Sequence, residues 1–157
     1  MIIVGYPCIG KSTYAASHRF KVIDLESSNF IKDGNWVESY CNVAIDLSKH
    51  GYDVFVSSHD AVRKQLLKSD YEYVFVIYPA LDIKEEWLER LHERYLETEL
   101  EKDYRAWQRA LNHYDEDIAK LKEDAKGFSG FYEISRGRYD LTVILDEFDY
   151  GSTLDHS

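Results

Sequence analysis

The residues best equipped for chemistry stand in one short run, Gly5-Tyr6-Pro7-Cys8-Ile9-Gly10-Lys11-Ser12-Thr13. The spacing is G-x-x-x-x-G-K-S, and it follows directly on the apolar stretch Met1-Ile2-Ile3-Val4. Glycine at positions 5 and 10 lets the backbone take a positive φ and approach a ligand with no Cβ in the way. Successive N–H groups in such a turn form a concave anion nest, and the N-terminus of the helix behind it adds its dipole. A strand, this loop and a following helix together predict a phosphate-binding loop from Gly5 to Thr13. Lys11 is then placed to reach the β- and γ-phosphates of a nucleoside triphosphate, and the Ser12 hydroxyl to ligate Mg²⁺. ATP and Mg²⁺ are the expected cosubstrate and metal.

These groups need elements to hold them. Ser12 to Arg19 reads as the first helix and Phe20 to Leu25 as a second strand, which ends in the polar cluster Asp24 to Asn29. Trp36, Val37, Tyr40, Val43, Ala44 and Leu47 fall at helical spacing, and Lys49-His50-Gly51 closes that helix. Asp53 to Ser57 is a third strand, followed by Ser58-His59-Asp60 and a short helix through Val62, Leu66 and Leu67. Tyr73 to Tyr78 is an unbroken apolar run that suits a buried parallel strand, stopped by Pro79. Tyr139 to Leu145 reads as the fifth strand, with a polar tail from Asp146.

Between Asp82 and Lys126 the chain is charged and helical. Trp87, Leu88, Leu91, Tyr95 and Leu96 mark one amphipathic face; Tyr104, Trp107, Leu111, Tyr114, Ile118 and Leu121 recur three and four apart as a core-facing seam. The segment reads as a helical hairpin or as one long helix broken between Leu100 and Tyr104. Gly127 to Gly130 reads as a loop.

Strands alternating with helices predict a three-layer α/β/α domain over residues 1–157, with a central parallel sheet of about five strands and a lid-like insertion near 82–126. Ligands of such sheets bind at the carboxyl ends of the strands. The loop, Asp24 to Asn29, Ser57 to Asp60 and the start of the segment after Tyr78 should therefore face one crevice.

The bulk figures narrow the class. A net charge of -10 over 157 residues argues against a broad electrostatic grip on nucleic acid or an anionic membrane. No run is long and apolar enough to span a bilayer. The N-terminus reads as a strand rather than a signal peptide. Cys8 and Cys41 have neither metal-ligand spacing nor a disulfide framework, so a reducing, cytoplasmic setting is expected. No internal repeat appears.

The order of these motifs resembles the nucleoside monophosphate kinase-like branch of phosphate-loop proteins, which includes adenylate, thymidylate, gluconate and shikimate kinases. The likeness covers most of the chain in layout and is specific at Gly5–Thr13. It implies transfer of the γ-phosphoryl group of ATP to a small acceptor, most readily a nucleoside monophosphate or related nucleotide. It implies an acceptor site at Asp24, Glu26 and Ser27, where Asp24 would polarise a hydroxyl or hold a water of Mg²⁺. It puts a substrate-binding arginine at Arg63 and lid arginines at Arg90 and Arg94, one helical turn apart, to stabilise charge on the transferred group. Ser57 and Ser58 stand where the family ends its third strand with an acid, so Asp60 is the candidate second metal contact. Arg136 and Arg138 are weaker candidates for adenine or phosphate contacts. His59 is expected to hydrogen-bond rather than bind metal. The same residues in other roles describe Glu86–Arg90 and Glu89–Arg94 ion pairs and a helix-capping Asp60.

Three other functions share the motifs. Kinases acting on nucleic-acid ends or modified bases carry the same loop, an Asp after the second strand and lid arginines; the acidic composition favours a small acceptor. A GTPase switch requires N-K-x-D, which this chain lacks, although a nucleotide-binding ATPase does not. A non-catalytic binding protein would use the helices of 82–126 as a partner surface.

Overall fold

The structure, a computed structural model, describes residues 1–18, 20–135 and 139–155, with side chains to residue 149. Its centre is a five-stranded, all-parallel sheet in the order β2-β3-β1-β4-β5. The strands are β1 (Ile2–Gly5), β2 (Val22–Asp24), β3 (Asp53–Ser57), β4 (Val74–Pro79) and β5 (Gly130–Ile134). The helices are α1 (Lys11–Ser17), α2 (Trp36–Lys49), α3 (Asp60–Ser69), α4 (Lys84–Thr98), α5 (Glu101–Ala125) and α6 (Leu141–Asp155).

β1 and β4 are buried at every position, as central strands covered on both faces must be. Ile3 pairs in register with Phe55 on one side and Phe75 on the other, so these three side chains share a face. Tyr14 of α1 meets Phe55 edge-on, and Phe148 of α6 stacks on Phe75 with ring centroids 4.4 Å apart. That places α1 and α6 on this face. On the other face α2, α3 and the end of α5 lie side by side, joined by the Cys41 thiol on the Val62 carbonyl and by an Arg63–Asp124 ion pair.

The chain leaves β1 toward β2 and β3, then crosses to β4 and β5 on the opposite side. The switch point of the sheet therefore lies at the carboxyl end of β1, where Gly5 begins the loop. A ligand crevice belongs at that place in an open α/β sheet.

The C-terminal third departs from expectation. Residues 139–145 do not form the fifth strand; that strand is Gly130–Ile134, inside and just after the stretch expected as a loop. Leu141 instead opens α6, which continues through the expected polar tail to Asp155. The β-branched run Thr142-Val143-Ile144 favours a strand locally. The buried set Leu141, Ile144, Leu145 and Phe148 has helical spacing, and it packs only once Phe148 is counted. Asp140 helps start the helix, its carboxylate accepting from the Thr142 N–H at 2.9 Å. Gly130 lets the strand lie close to Phe75, since a Cβ there would lie 3.0 Å from the Phe75 ring and press it aside.

Smaller differences have equally local causes. Phe20 stands outside β2, almost fully exposed, so the edge strand is shorter than expected. The 82–126 segment is a hairpin, and its break falls at Glu99–Leu100, slightly before the expected position. Glu99 ends α4 in the left-handed conformation, φ 55°. The seam of α5 is core-facing only from Tyr114 onward; Tyr104 and Leu111 remain exposed. The first half of α5 runs against α4, where Trp107 stacks on His92 at 4.2 Å, and α5 bends at His113 to reach the sheet. Among the described residues no helix is long and apolar enough to cross a membrane.

Candidate functional site

The loop after β1 is shaped by two glycines and by its carbonyl partners. A Cβ on Gly5 would lie 2.6 Å from Ile9 Cδ1 and 3.0 Å from Lys11 Cδ, so a larger residue would have to displace these side chains. Gly10 caps α1 with φ 99°, a conformation that penalises a side chain. Cys8 also has positive φ, 70°, without being glycine.

Alternate carbonyls of the loop are tied outward. Lys11 Nζ donates to the Gly5 carbonyl at 3.2 Å, Trp87 Nε1 to Pro7 at 2.8 Å, and the Tyr139 hydroxyl to Ile9 at 2.9 Å. Among the described residues the backbone N–H groups of Cys8 to Thr13 have no protein acceptor. A run of unspent donors at a helix N-terminus is the structure an anion requires. The closed-off space at Gly5 and these donors fit a phosphate chain.

Lys11 lies among acids. Burial lowers the proton affinity of its ammonium group, and the Asp24 and Glu26 carboxylates oppose that shift. The Ser12 hydroxyl donates to Asp24 Oδ2 at 3.2 Å. Hydroxyl and carboxylate oxygens side by side suit a hard divalent cation that takes its remaining ligands from phosphate and water. Asp24, not Asp60, is the acid beside the expected metal-binding hydroxyl. Asp60 pairs with Arg63 at 3.1 Å and with Lys64 at 3.7 Å. No group of three or more His, Cys, Asp or Glu that would bind a metal unaided occurs among the described residues.

Beside the loop is a cavity of about 100 Å³, lined by Gly5, Pro7, Lys11, Asp24 to Ser27, Ser57 and Ser58. It joins the ends of β1, β2 and β3, as the sheet topology requires. Tyr40, wholly buried on α2, fastens its floor: its hydroxyl donates to the Leu25 carbonyl and accepts from the Ser57 N–H at 2.9 Å. Tyr40→Phe would strip both groups of their partner. Each unsatisfied buried group costs about 1–3 kcal/mol, so we expect a loss in that range or somewhat above it, measured by urea denaturation.

The hairpin closes the crevice from the opposite side. Arg94 donates to the Cys8 Sγ at 3.7 Å and pairs with Asp103 at 3.5 Å. Asp103 is itself buried and accepts from the Thr98 hydroxyl at 2.5 Å. Lys102, at the start of α5, reaches Glu26 on the cavity rim at 3.7 Å. Arg90 lies against the rings of Trp87 and Tyr139, 4.5 and 5.5 Å from their centroids. It donates to the Tyr139 hydroxyl at 3.2 Å and forms the Glu86 ion pair described above, also at 3.2 Å. Of the two guanidinium groups, that of Arg94 touches the loop itself and that of Arg90 supports Tyr139, which holds the loop; the Arg90 carbonyl also accepts from the Cys8 thiol at 4.0 Å.

Arg63 is elsewhere. It is buried and donates to Asp124 at 2.8 Å, to Asp60 and to the Ser58 carbonyl. It ties α3 to α5 and braces the cavity wall from behind. His59 accepts from the Ala61 N–H at 3.2 Å and caps α3, a hydrogen-bonding role. Arg136 and Arg138 lie outside the described residues.

Trp87, Tyr139, Tyr40 and Lys102 were not distinguishable as site residues in the sequence. Trp87 reads as one member of an apolar helix face and Tyr139 as the first residue of a strand. A tryptophan or tyrosine needs a partner for its N–H or O–H when buried, but only the fold says which. No protein family and no curated protein matches this chain.

Proposed function

We propose that the protein is a phosphotransferase that passes the γ-phosphoryl group of ATP to a small acceptor. One observation carries this reading: the nest of unspent N–H groups with Lys11 opens onto a second polar cavity that shares Lys11 and carries Asp24. A nest alone would serve a switch or an ATPase equally well. A neighbouring cavity ending in a carboxylate provides a place for a second substrate.

The roles follow from chemistry. Phosphoryl transfer depends on alignment and charge neutralisation more than on covalent help from the protein. The N–H groups of Cys8 to Thr13 would hold the phosphate chain, and Lys11 would lie against its terminal oxygens. Asp24 would orient the acceptor hydroxyl and take its proton. Ser12 and Asp24 would hold Mg²⁺, directly or through water, and that ion neutralises phosphate charge when bound. Arg94 would swing from Cys8 and Asp103 onto the transferred group, because a guanidinium reads phosphate oxygens better than a thiol.

The test is incubation with γ-labelled ATP and Mg²⁺ over a panel of nucleosides, nucleoside monophosphates, sugars and single-stranded DNA. Label moving to an acceptor supports the reading; free phosphate released at one rate regardless of acceptor makes the protein an ATPase. Arg94→Ala should lower kcat by about a hundredfold or more, with the ATP dissociation constant changed less than about threefold. An unaltered kcat would remove Arg94 from the mechanism.

A second reading, a non-catalytic nucleotide-binding module, has one observation in its favour. Leu96, Leu100, Tyr104 and Leu111 are exposed on the hairpin, where a partner would dock. Tight ATP binding without turnover would select it.

A further inference from the structure

We propose that the acceptor half of this site takes an uncharged alcohol, admitted as an arm the size of a hydroxymethyl group, and rejects phosphate monoesters. The inference rests on the phosphotransferase reading above and narrows its acceptor.

The first argument is charge. Two carboxylates, Asp24 and Glu26, and three serines, Ser27, Ser57 and Ser58, line the cavity; Lys11 is the one cation among its described lining residues. A phosphate monoester carries about −1.5 to −2 at pH 7 and needs cations to replace its lost water. The protein cations nearest the cavity lining already have partners. Lys11 donates to Gly5 and faces the donor nest. Lys102 is paired with Glu26. Arg63, which the resemblance implies as a substrate-binding arginine, is buried and donates to Asp124, Asp60 and the Ser58 carbonyl. Releasing it would leave the Asp124 carboxylate, itself largely buried, without its partner.

The second argument is size and hydrogen-bonding sense. The cavity volume is about 100 Å³. Nucleotide-sized pockets begin at about 300 Å³. The cavity therefore admits an arm, while the rest of the acceptor lies in the mouth under Arg94 and Lys102. Carboxylates are acceptors only, and serine hydroxyls turn to suit, so the lining matches a group that donates O–H.

The step balances with residues already placed. The acceptor oxygen bonds to the γ-phosphorus as the bond from that phosphorus to the bridging oxygen breaks. The acceptor's proton passes to Asp24, and ADP leaves with the electron pair of the broken bond. The product is a phosphate monoester facing Asp24 and Glu26, the species this cavity repels, so the same charges that select the acceptor also speed product release.

The experiment uses the whole chain saturated with the β,γ-imido analogue of ATP and Mg²⁺, and measures binding by calorimetry of matched pairs: uridine against uridine 5′-monophosphate, and glycerol against glycerol 3-phosphate. We expect the uncharged member of at least one pair to bind ten times or more tighter than its phosphate, and Glu26→Gln to narrow that gap severalfold. A phosphate member binding as well as its alcohol overturns the inference. So does binding of neither member by the analogue-loaded protein, or preferential binding of a single-stranded oligonucleotide with a free 5′-hydroxyl; these results leave the phosphotransferase reading standing. Failure of the analogue itself to bind overturns both.

Discussion

Lys11→Ala is expected to reduce phosphoryl transfer by about 10²–10³-fold while the protein stays folded. Removing a single preorganised charge or donor from a phosphate or oxyanion site typically has an effect of that size. The reason here is specific. Lys11 is the cation shared by the loop and the neighbouring cavity, and Asp24 and Glu26 partly oppose the lowering of its proton affinity by burial. Its own fold contact is one hydrogen bond to the Gly5 carbonyl, worth about 1 kcal/mol net, so stability should barely change. Denaturant midpoint and label transfer, measured on the same preparation, separate the two effects. A variant that transfers label at the wild-type rate would remove Lys11 from the chemistry.

Trp87→Ala is expected to carry the largest stability loss. Trp87 is among the largest fully buried side chains, and emptying such a site costs about 3–5 kcal/mol. Its indole N–H also holds the Pro7 carbonyl, so the alanine variant loosens the phosphate loop as well as the core. Trp87→Phe separates these roles. It keeps most of the volume and loses only the donor, so it should cost far less stability but still weaken ATP binding, by about tenfold if one loop carbonyl turns inward at roughly 1.4 kcal/mol. Equal ATP affinity in Trp87→Phe and wild type would show that the loop holds its shape without this bond.

The two variants differ in how far their effects were legible from residues alone. That Lys11 matters follows from a spacing of a few residues. That Trp87 matters to the loop does not, because the Pro7 carbonyl is 80 positions away in the chain. The same contrast runs through the site. Asp24 stands at a strand end as the alternation of strands and helices implies, and the fold sets it against Ser12. Arg63 stands after the third strand as the family resemblance implies, yet its partner Asp124, 61 positions on, draws it out of the cavity.

The exchange of the fifth strand has the same origin. Gly130–Ile134 and Leu141–Leu145 both carry strand-forming residues, and local preference does not choose between them. The unpaired edge of β4 accepts the aromatic segment with a glycine opposite Phe75, and Phe148 gives the other segment a helical face to bury.

What the amino-acid order determined by itself is local: the strand-loop-helix turn of Gly5–Thr13, whose geometry depends on glycines and a helix start within nine residues, and the parallel α/β class, whose hydrophobic periods are each contained in one element. Tertiary structure alone decided which side chain meets which. It turned Trp87 and Tyr139 onto the loop carbonyls, spent Arg63 on Asp124, and left Asp24 and Glu26 beside Lys11. Backbone conformation is set by neighbours in the chain, whereas a charge or a buried hydrogen-bond donor is satisfied by whatever the folded elements bring within about 3 Å of it. In this protein those partners come from the far ends of the sheet and from the helical hairpin, and they decide how the Gly5–Thr13 loop is held and which groups line the cavity beside it.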